Sequence, residues 1–245
     1  MNPSTVIGRE EELDTISRLY ESERSEFLAI YGRRRVGKSF LIEEALGEKI
    51  SFMAVGIYQK IDKDNPERVE SYRQKQLAHF YNSLQEYGLP KEGNPAPTSW
   101  MEALGLLKKL LQRKRAPRKV VFIDELPWLA GPQSSELLEE LGHFWNSWAR
   151  KRKDIFLIVC GSATSWMVDN VMRDYGGLYG RITESIFLKP FTLEECERYW
   201  IKRGFHLSRY EIALTYMVIG GVPYYMDSIR PDRPMADNIN AIYLS

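Results

Sequence analysis

Cysteine is scarce in this chain, with two among 245 residues, Cys160 and Cys196. Two thiols cannot build a disulfide framework or a four-ligand zinc site, and they fit a reducing compartment. An excess of one charge is also lacking. Thirty-four Lys and Arg stand against 33 Asp and Glu, a net charge of +1, so bulk charge does not make the chain a polycation that wraps nucleic acid. Long apolar runs are absent too: the longest, Ile155–Cys160, is far short of the ~18 residues of a membrane helix. Residues Met1–Glu12 turn acidic at once and offer no apolar core for a secretory signal. These absences together predict a soluble, cytoplasmic protein without a membrane partner. Glycine and proline are at globular levels, and no internal repeat or low-complexity tract occurs.

What is present alternates. Short β-branched or aromatic runs at Phe27–Tyr31, Ile50–Val55, Val120–Asp124, Ile155–Cys160 and Ser185–Leu188 are separated by longer helical patterns. That alternation predicts a parallel sheet with crossover helices, and the lack of polar residues within several runs predicts strands covered on both faces. Helical faces are carried by Leu13, Ile16 and Leu19; by Leu77, Phe80, Leu84 and Tyr87; by Trp100, Leu104, Leu107 and Leu111; and by Leu137, Leu141, Trp145 and Trp148. Leu89–Ser99, with Pro90, Pro95 and Pro97, reads as a loop. After Phe191 only short helical patterns remain, through to Tyr243, interrupted at Pro231 and Pro234. The expected division is an α/β core over 1–190 and a small helical lid over 191–245.

Gly32-Arg33-Arg34-Arg35-Val36-Gly37-Lys38-Ser39 fills every fixed position of G-x-x-x-x-G-K-[ST], after a β-run and before a helix-compatible run, Phe40–Leu46. Gly32 and Gly37 let the backbone curl until successive N–H groups face phosphate oxygens at a helix N-terminus. Lys38 supplies a point charge for the β- and γ-phosphates, and the Ser39 hydroxyl can ligate Mg²⁺. Arg33, Arg34 and Arg35 read either as added charge near a triphosphate or as solvated loop residues. Val120-Val121-Phe122-Ile123-Asp124-Glu125 brings two acids to the end of a buried strand, where open parallel sheets bind ligands. Asp124 is expected to hold Mg²⁺, and Glu125 to orient and deprotonate an attacking water. Gln59-Lys60-Ile61-Asp62 lacks the Asn of a guanine-reading element and precedes the acidic strand, so nothing points to GTP. Gly161-Ser162-Ala163 fails the G-x-S-x-G pattern of a serine hydrolase, and His79, His143 and His206 lie in no partner motif.

Five stretches in order resemble the AAA+ and STAND P-loop ATPases, and more narrowly the archaeal-type ATPase family that also occurs in bacteria. They are Ile7-Gly8-Arg9-Glu10; Tyr31 to Ser39; Phe122 to Glu125; Gly180-Arg181 before Leu188-Lys189-Pro190-Phe191; and Gly220-Gly221-Val222-Pro223-Tyr224. The resemblance implies five core strands with a C-terminal lid, ATP and Mg²⁺ as ligands, and a phosphate-loop site extending through Val36 and Phe40. It implies that Ile7 and Gly8 pack against adenine and that Pro223 comes over the base. Ser162 takes a sensor position near the γ-phosphate or else caps the following helix. Arg181 takes the place of an arginine finger facing a neighbouring subunit, or else is paired structurally with Glu184. Relatives continue into a winged helix and an effector domain, so a further C-terminal domain is expected beyond Ser245, with a protein client of unstated kind.

The implied function is Mg²⁺-dependent ATP hydrolysis coupled to a conformational change. The alternatives are an ATP-bound regulatory switch, or a nucleic-acid-associated module with negligible turnover. The last rests on two basic clusters. Lys108, Lys109, Arg113, Lys114, Arg115, Arg118 and Lys119 precede one central strand, and Arg150, Lys151, Arg152 and Lys153 precede another. They are expected to converge on the sheet edge opposite the nucleotide, giving at most a weak DNA contact, unless they merely favour negative helix ends. Trp100, Trp145 and Trp148, and both cysteines, read as packing residues.

Overall fold

The computed structural model describes residues 6–62, 64–132, 134–173, 178, 180–230 and 233–243. Five strands form one sheet: β1 (Glu26–Tyr31), β2 (Ile50–Val55), β3 (Lys119–Asp124), β4 (Ile155–Gly161) and β5 (Glu184–Phe187). All pairs are parallel, in the order β2-β3-β4-β1-β5. Each predicted strand forms, displaced by at most one residue at either end.

Side chains alternate across this sheet, and both faces are covered. Phe27, Ala29, Val121, Ile123, Leu157 and Val159 enter one cluster with Leu77, Phe80, Leu107 and Leu141. Leu28, Ile30, Val120, Phe122, Phe156 and Ile158 enter the other with Ile16, Leu41 and Ile42. The helices on the first side are α3 (Pro66–Glu86), α4 (Trp100–Arg113), α5 (Leu126–Ala130) and α6 (Ser134–Ser147); α1 (Glu10–Glu21) and α2 (Lys38–Leu46) cover the second. Pro66 at the first turn and the Asn65 side chain accepting from Arg68 N–H start α3. Trp100 and Trp145 are core residues, whereas Trp148 is only partly buried, beneath the cations of Lys108 and Arg152.

After a short α7 (Thr164–Met167) and β5, the chain turns wholly helical: α8 (Leu193–Lys202), α9 (Arg209–Ile219), α10 (Pro223–Asp227) and α11 (Met235–Tyr243). Capping boxes begin α8 (Thr192 with Glu195) and α9 (Ser208 with Glu211). These helices have a core of their own around Phe191, Cys196, Trp200, Ile212, Ile219 and Met226, against which Ile7 packs. Gly221 seals the start of this unit. Phe191 N–H donates to its carbonyl at 2.8 Å, and a Cβ at Gly221 would fall 2.2 Å from Phe191 O. Pro234 directly precedes α11, while Pro231, Met1 and Ser245 lie outside the described residues. Among the described residues no helix is long and apolar enough to cross a membrane.

The basic clusters do meet where β3 and β4 begin, but their innermost members are structural. Arg118 is buried and donates to the carbonyls of Leu19, Ser22, Arg24 and Lys153. Lys119 and Arg152 both pair with Asp154, at 2.6 and 2.7 Å. The expectation of a continuous solvent-facing patch is thereby reduced to Lys109, Arg113, Arg115, Arg150, Lys151 and Lys153, which are exposed.

Candidate nucleotide and metal site

The site forms where β1, β3 and β4 end. The order β3-β4-β1 places β4 between the strand that feeds the phosphate loop and the strand that delivers the acids. Ser162, just past β4, therefore sits between the two, at the carboxyl ends of the strands where open parallel sheets bind ligands.

Gly32 opens the loop under a tight constraint: a Cβ there would lie 2.3 Å from Leu188 O, against the segment that leaves β5. Arg35 has φ +70° and Gly37 φ +91°, a left-handed backbone that turns successive N–H groups to one side. Gly37 also begins α2 without a capping side chain. Lys38 is only 6% exposed, and its Nζ donates to the carbonyls of Gly32 and Arg33 at 3.0 and 2.9 Å. Ser39 Oγ donates to Asp124 Oδ2 at 2.5 Å, and Asp124 is likewise buried.

Glu125 follows with φ +47°, an uncommon conformation for a non-glycine residue. Its Oε2 accepts from Ser162 N–H at 3.1 Å and from Ser162 Oγ–H at 2.9 Å. Ser162 is therefore no helix cap; the N-cap of α7 is Ala163, without a side-chain bond. Lys38, Ser39, Glu125, Arg34 and Phe40 line a cavity of about 290 Å³. Beneath this region the Cys160 thiol is pushed well up by burial, with Asp124 as a further cause, so it stays neutral.

A second cavity, of about 630 Å³, is lined by Arg35, Val36 and Gly37 of the loop. Ile7, Val36, Phe40 and Phe191 form apolar walls, with Tyr199, Pro223 and Tyr224 contributed by the helical unit. Arg35, Gly37 and Phe40 line both cavities, so the two are adjoining spaces along one loop. Ile7 and Pro223 thus face the space predicted for a base. Gly8 does not line it; it is buried against Glu195. Pro223 also occupies the first turn of α10, where its fixed φ suits a helix start.

The sequence reading assigned Arg9 no role and found no partners for the loop arginines. Arg9 (φ +75°) is buried, donates to Lys189 O at 2.6 Å and lies over the Phe191 ring. Burial pushes its pKa down, opposed by Glu12 and Glu195. Arg34 stacks over Trp128, and Arg35 over Tyr224 with Nη1 donating to Tyr225 Oη at 3.1 Å. Three consecutive arginines in the loop were the only available signal; their aromatic partners are up to 190 residues away. Arg33 is exposed and contributes its carbonyl to Lys38. Arg181 is not brought to the site by any contact among the described residues. Its N–H donates to Leu178 O, its buried Nε has no hydrogen-bond partner among the described residues, and Glu184 pairs instead with Arg18.

The donor set suits Mg²⁺. That ion takes one or two protein oxygens and completes its shell with water and substrate phosphates, and Ser39 with Asp124 supplies such a pair. Among the described residues no group of three His, Cys, Asp or Glu could form a closed metal cage.

Known proteins agree with this architecture. An uncharacterised protein of Methanocaldococcus jannaschii is 28% identical over 230 residues, 91% of this chain and 44% of its own length. The chain therefore spans under half of that relative. The Walker-type ATPase of Pyrococcus abyssi superposes with TM-score 0.63 at 22% identity, covering 92% of this chain and 67% of that one. The ORC1 protein of Aeropyrum pernix, solved in complex with DNA, gives TM-score 0.56 at 14% identity, covering 98% and 65%. The model of the family described as "ATPase domain predominantly from Archaea" matches residues 7–229, and the chain belongs to that family.

Proposed function

We propose that this protein binds ATP with Mg²⁺ and hydrolyses it, using the two adjoining cavities for base and phosphates. One observation carries the reading. The Ser39–Asp124 bond lies beside Lys38 at the phosphate loop, and Glu125 lines the same 290 Å³ space. Ser39 and Asp124 would hold Mg²⁺, which when bound neutralises charge on the β- and γ-phosphates. Lys38 would exchange its two loop carbonyls for phosphate oxygens. The backbone N–H groups from Arg35 to Ser39 would cradle the anion at the start of α2.

Glu125 would take a proton from water as the water oxygen bonds to the γ-phosphorus. The bond from that phosphorus to the bridging oxygen then breaks, its electron pair going to ADP, and inorganic phosphate leaves. Ser162 holds one Glu125 oxygen through two donors, which fixes the carboxylate for that task. Conformational coupling would run through the helical unit, since Pro223 and Tyr224 close the base cavity while Arg35 joins the phosphate loop to Tyr225.

The test is steady-state phosphate release by the wild type and by Glu125→Gln. A wild-type rate no higher than the variant's would leave an ATP-bound switch as the function. DNA contact, reported for the ORC1 structure, rests here only on the exposed basic residues where β3 and β4 begin. It would be weak and released by salt.

A further inference from the structure

We propose that Arg34 is an intrachain cation for the terminal phosphate of the bound nucleoside triphosphate, held ready by an aromatic platform and wired to Glu125 through Ser162. This inference rests on the ATP reading above and adds the residue that distinguishes a triphosphate from a diphosphate.

Arg34 is exposed and lies in the middle of the phosphate loop. A solvated arginine at such a position would have no preferred direction. This one does. Its guanidinium carbon lies 4.8 Å from the centre of the Trp128 ring and 5.9 Å from that of Tyr58, and the two rings are themselves 5.5 Å apart. Trp128 belongs to α5, immediately after the acidic pair, and its carbonyl accepts from the buried Tyr72 hydroxyl, which anchors the platform to α3. A planar cation on aromatic faces keeps its N–H edge free for acceptors in the plane, which lysine does not do.

That edge points into the site. Arg34 Nε donates to Ser162 Oγ at 3.3 Å, and the same hydroxyl donates to Glu125 Oε2 at 2.9 Å. The hydroxyl has one proton, so accepting from Arg34 orients it to give that proton to Glu125. Arg34 also lines the 290 Å³ cavity with Lys38, Ser39 and Glu125. Lys38 and Arg34 thus line the same space, while Glu125 supplies the opposing charge. A phosphate entering there meets a guanidinium whose Nη groups have no hydrogen-bond partner among the described residues.

Charge developing on the terminal phosphate would be neutralised by a residue of the same chain, so the chemistry needs no arginine from a second subunit. Arrival of that phosphate would also draw on the cation that orients Ser162, linking occupancy to the Glu125 carboxylate. Arg34 would then act on phosphate directly and on Glu125 as a positioning residue.

The test is calorimetry of the full chain with Mg²⁺ and either ADP or a non-hydrolysable ATP analogue. Arg34→Gln is expected to lower affinity for the analogue by about ten- to hundredfold, as loss of a charge-assisted contact does, and to leave ADP affinity unchanged. Arg34→Lys is expected to recover part of the analogue affinity, having charge without the planar fork. Trp128→Leu, which removes the platform and leaves the loop sequence intact, should lower kcat with ADP affinity retained. Equal loss for both nucleotides, or loss for neither, in Arg34→Gln overturns the inference while leaving ATP binding in place. Failure of the wild type to bind ADP or the analogue overturns the ATP reading, and the inference with it.

Discussion

Three non-glycine residues among those described have positive φ, namely Arg9, Arg35 and Glu125, and all three lie at the site or its rim. Such backbone costs on the order of 1–3 kcal/mol each and persists where surrounding contacts over-determine it. Here the contacts are visible: Arg9 on Lys189 O, Arg35 on Tyr225, Glu125 on Ser162. At this scale the phosphate loop gives the firmest prediction. Lys38→Ala is expected to weaken ATP binding by roughly 10- to 150-fold, because a charge-assisted contact contributes ~1.5–3 kcal/mol; titration calorimetry reads it directly. Ser162→Ala removes one of two donors to Glu125 and keeps the other, the backbone N–H. Turnover should fall by about two- to tenfold with ATP affinity unchanged, a split that a helix cap would not produce. Lys38 and Ser39 were legible because a fixed motif spacing encodes a fixed backbone, and Asp124 because it ends an unbroken apolar strand. Ser162 was ambiguous because its partner is 37 residues away.

Among the elements, β3 and β4 show how strands are pinned at their starts. Lys119 pairs with Ile155 in register, and its N–H donates to Asp154 O at 2.7 Å. The Asp154 carboxylate then accepts from Arg152 and from the buried Lys119. The Arg152 hydrogen bonds, then Lys119, hold its pKa well below the usual carboxylate range despite partial burial. A depressed folded-state pKa contributes stability that is fully present above the unfolded value, about 3.9, and is lost as pH falls towards the folded value. Asp154→Asn should therefore destabilise the protein at pH 7 by about 1–3 kcal/mol, with the urea m-value unchanged. The gap between variant and wild type should shrink as pH falls below about 4. Urea titrations at the two pH values check this, and a gap independent of pH would contradict it. The strands themselves were readable because unbroken apolar runs bounded by helical periods leave few alternatives.

The whole molecule is an α/β layer with a helical unit that shares a cavity with it. If ATP bridges the two, it binds the folded state alone and stabilises it by about 2.7 kcal/mol at a hundredfold excess over Kd. The melting temperature should rise with Mg·ATP in the wild type and rise by clearly less in Lys38→Ala at the same ligand concentration. Arg181 is tested at this scale too. If Arg34 neutralises the terminal phosphate within one chain, specific activity should stay flat over a wide dilution series. Turnover that rises with protein concentration, and loses that rise in Arg181→Ala, would instead establish an arginine acting between subunits.

The sequence alone determined the strand set, the phosphate-loop motif, the acidic pair that ends β3 and the helical character after Phe191. Each of these is local: a run, a period or a fixed spacing within a few residues decides it. Only the tertiary structure decided which side chains meet across the loop. Strand order set Ser162 between Lys38 and Glu125, and the turn at Gly221 set Tyr224 beside Arg35. Burial turned Arg118 and Lys119 from a supposed surface patch into struts. Such outcomes depend on long-range packing, whose partners are fixed by topology and leave no periodic trace along the chain.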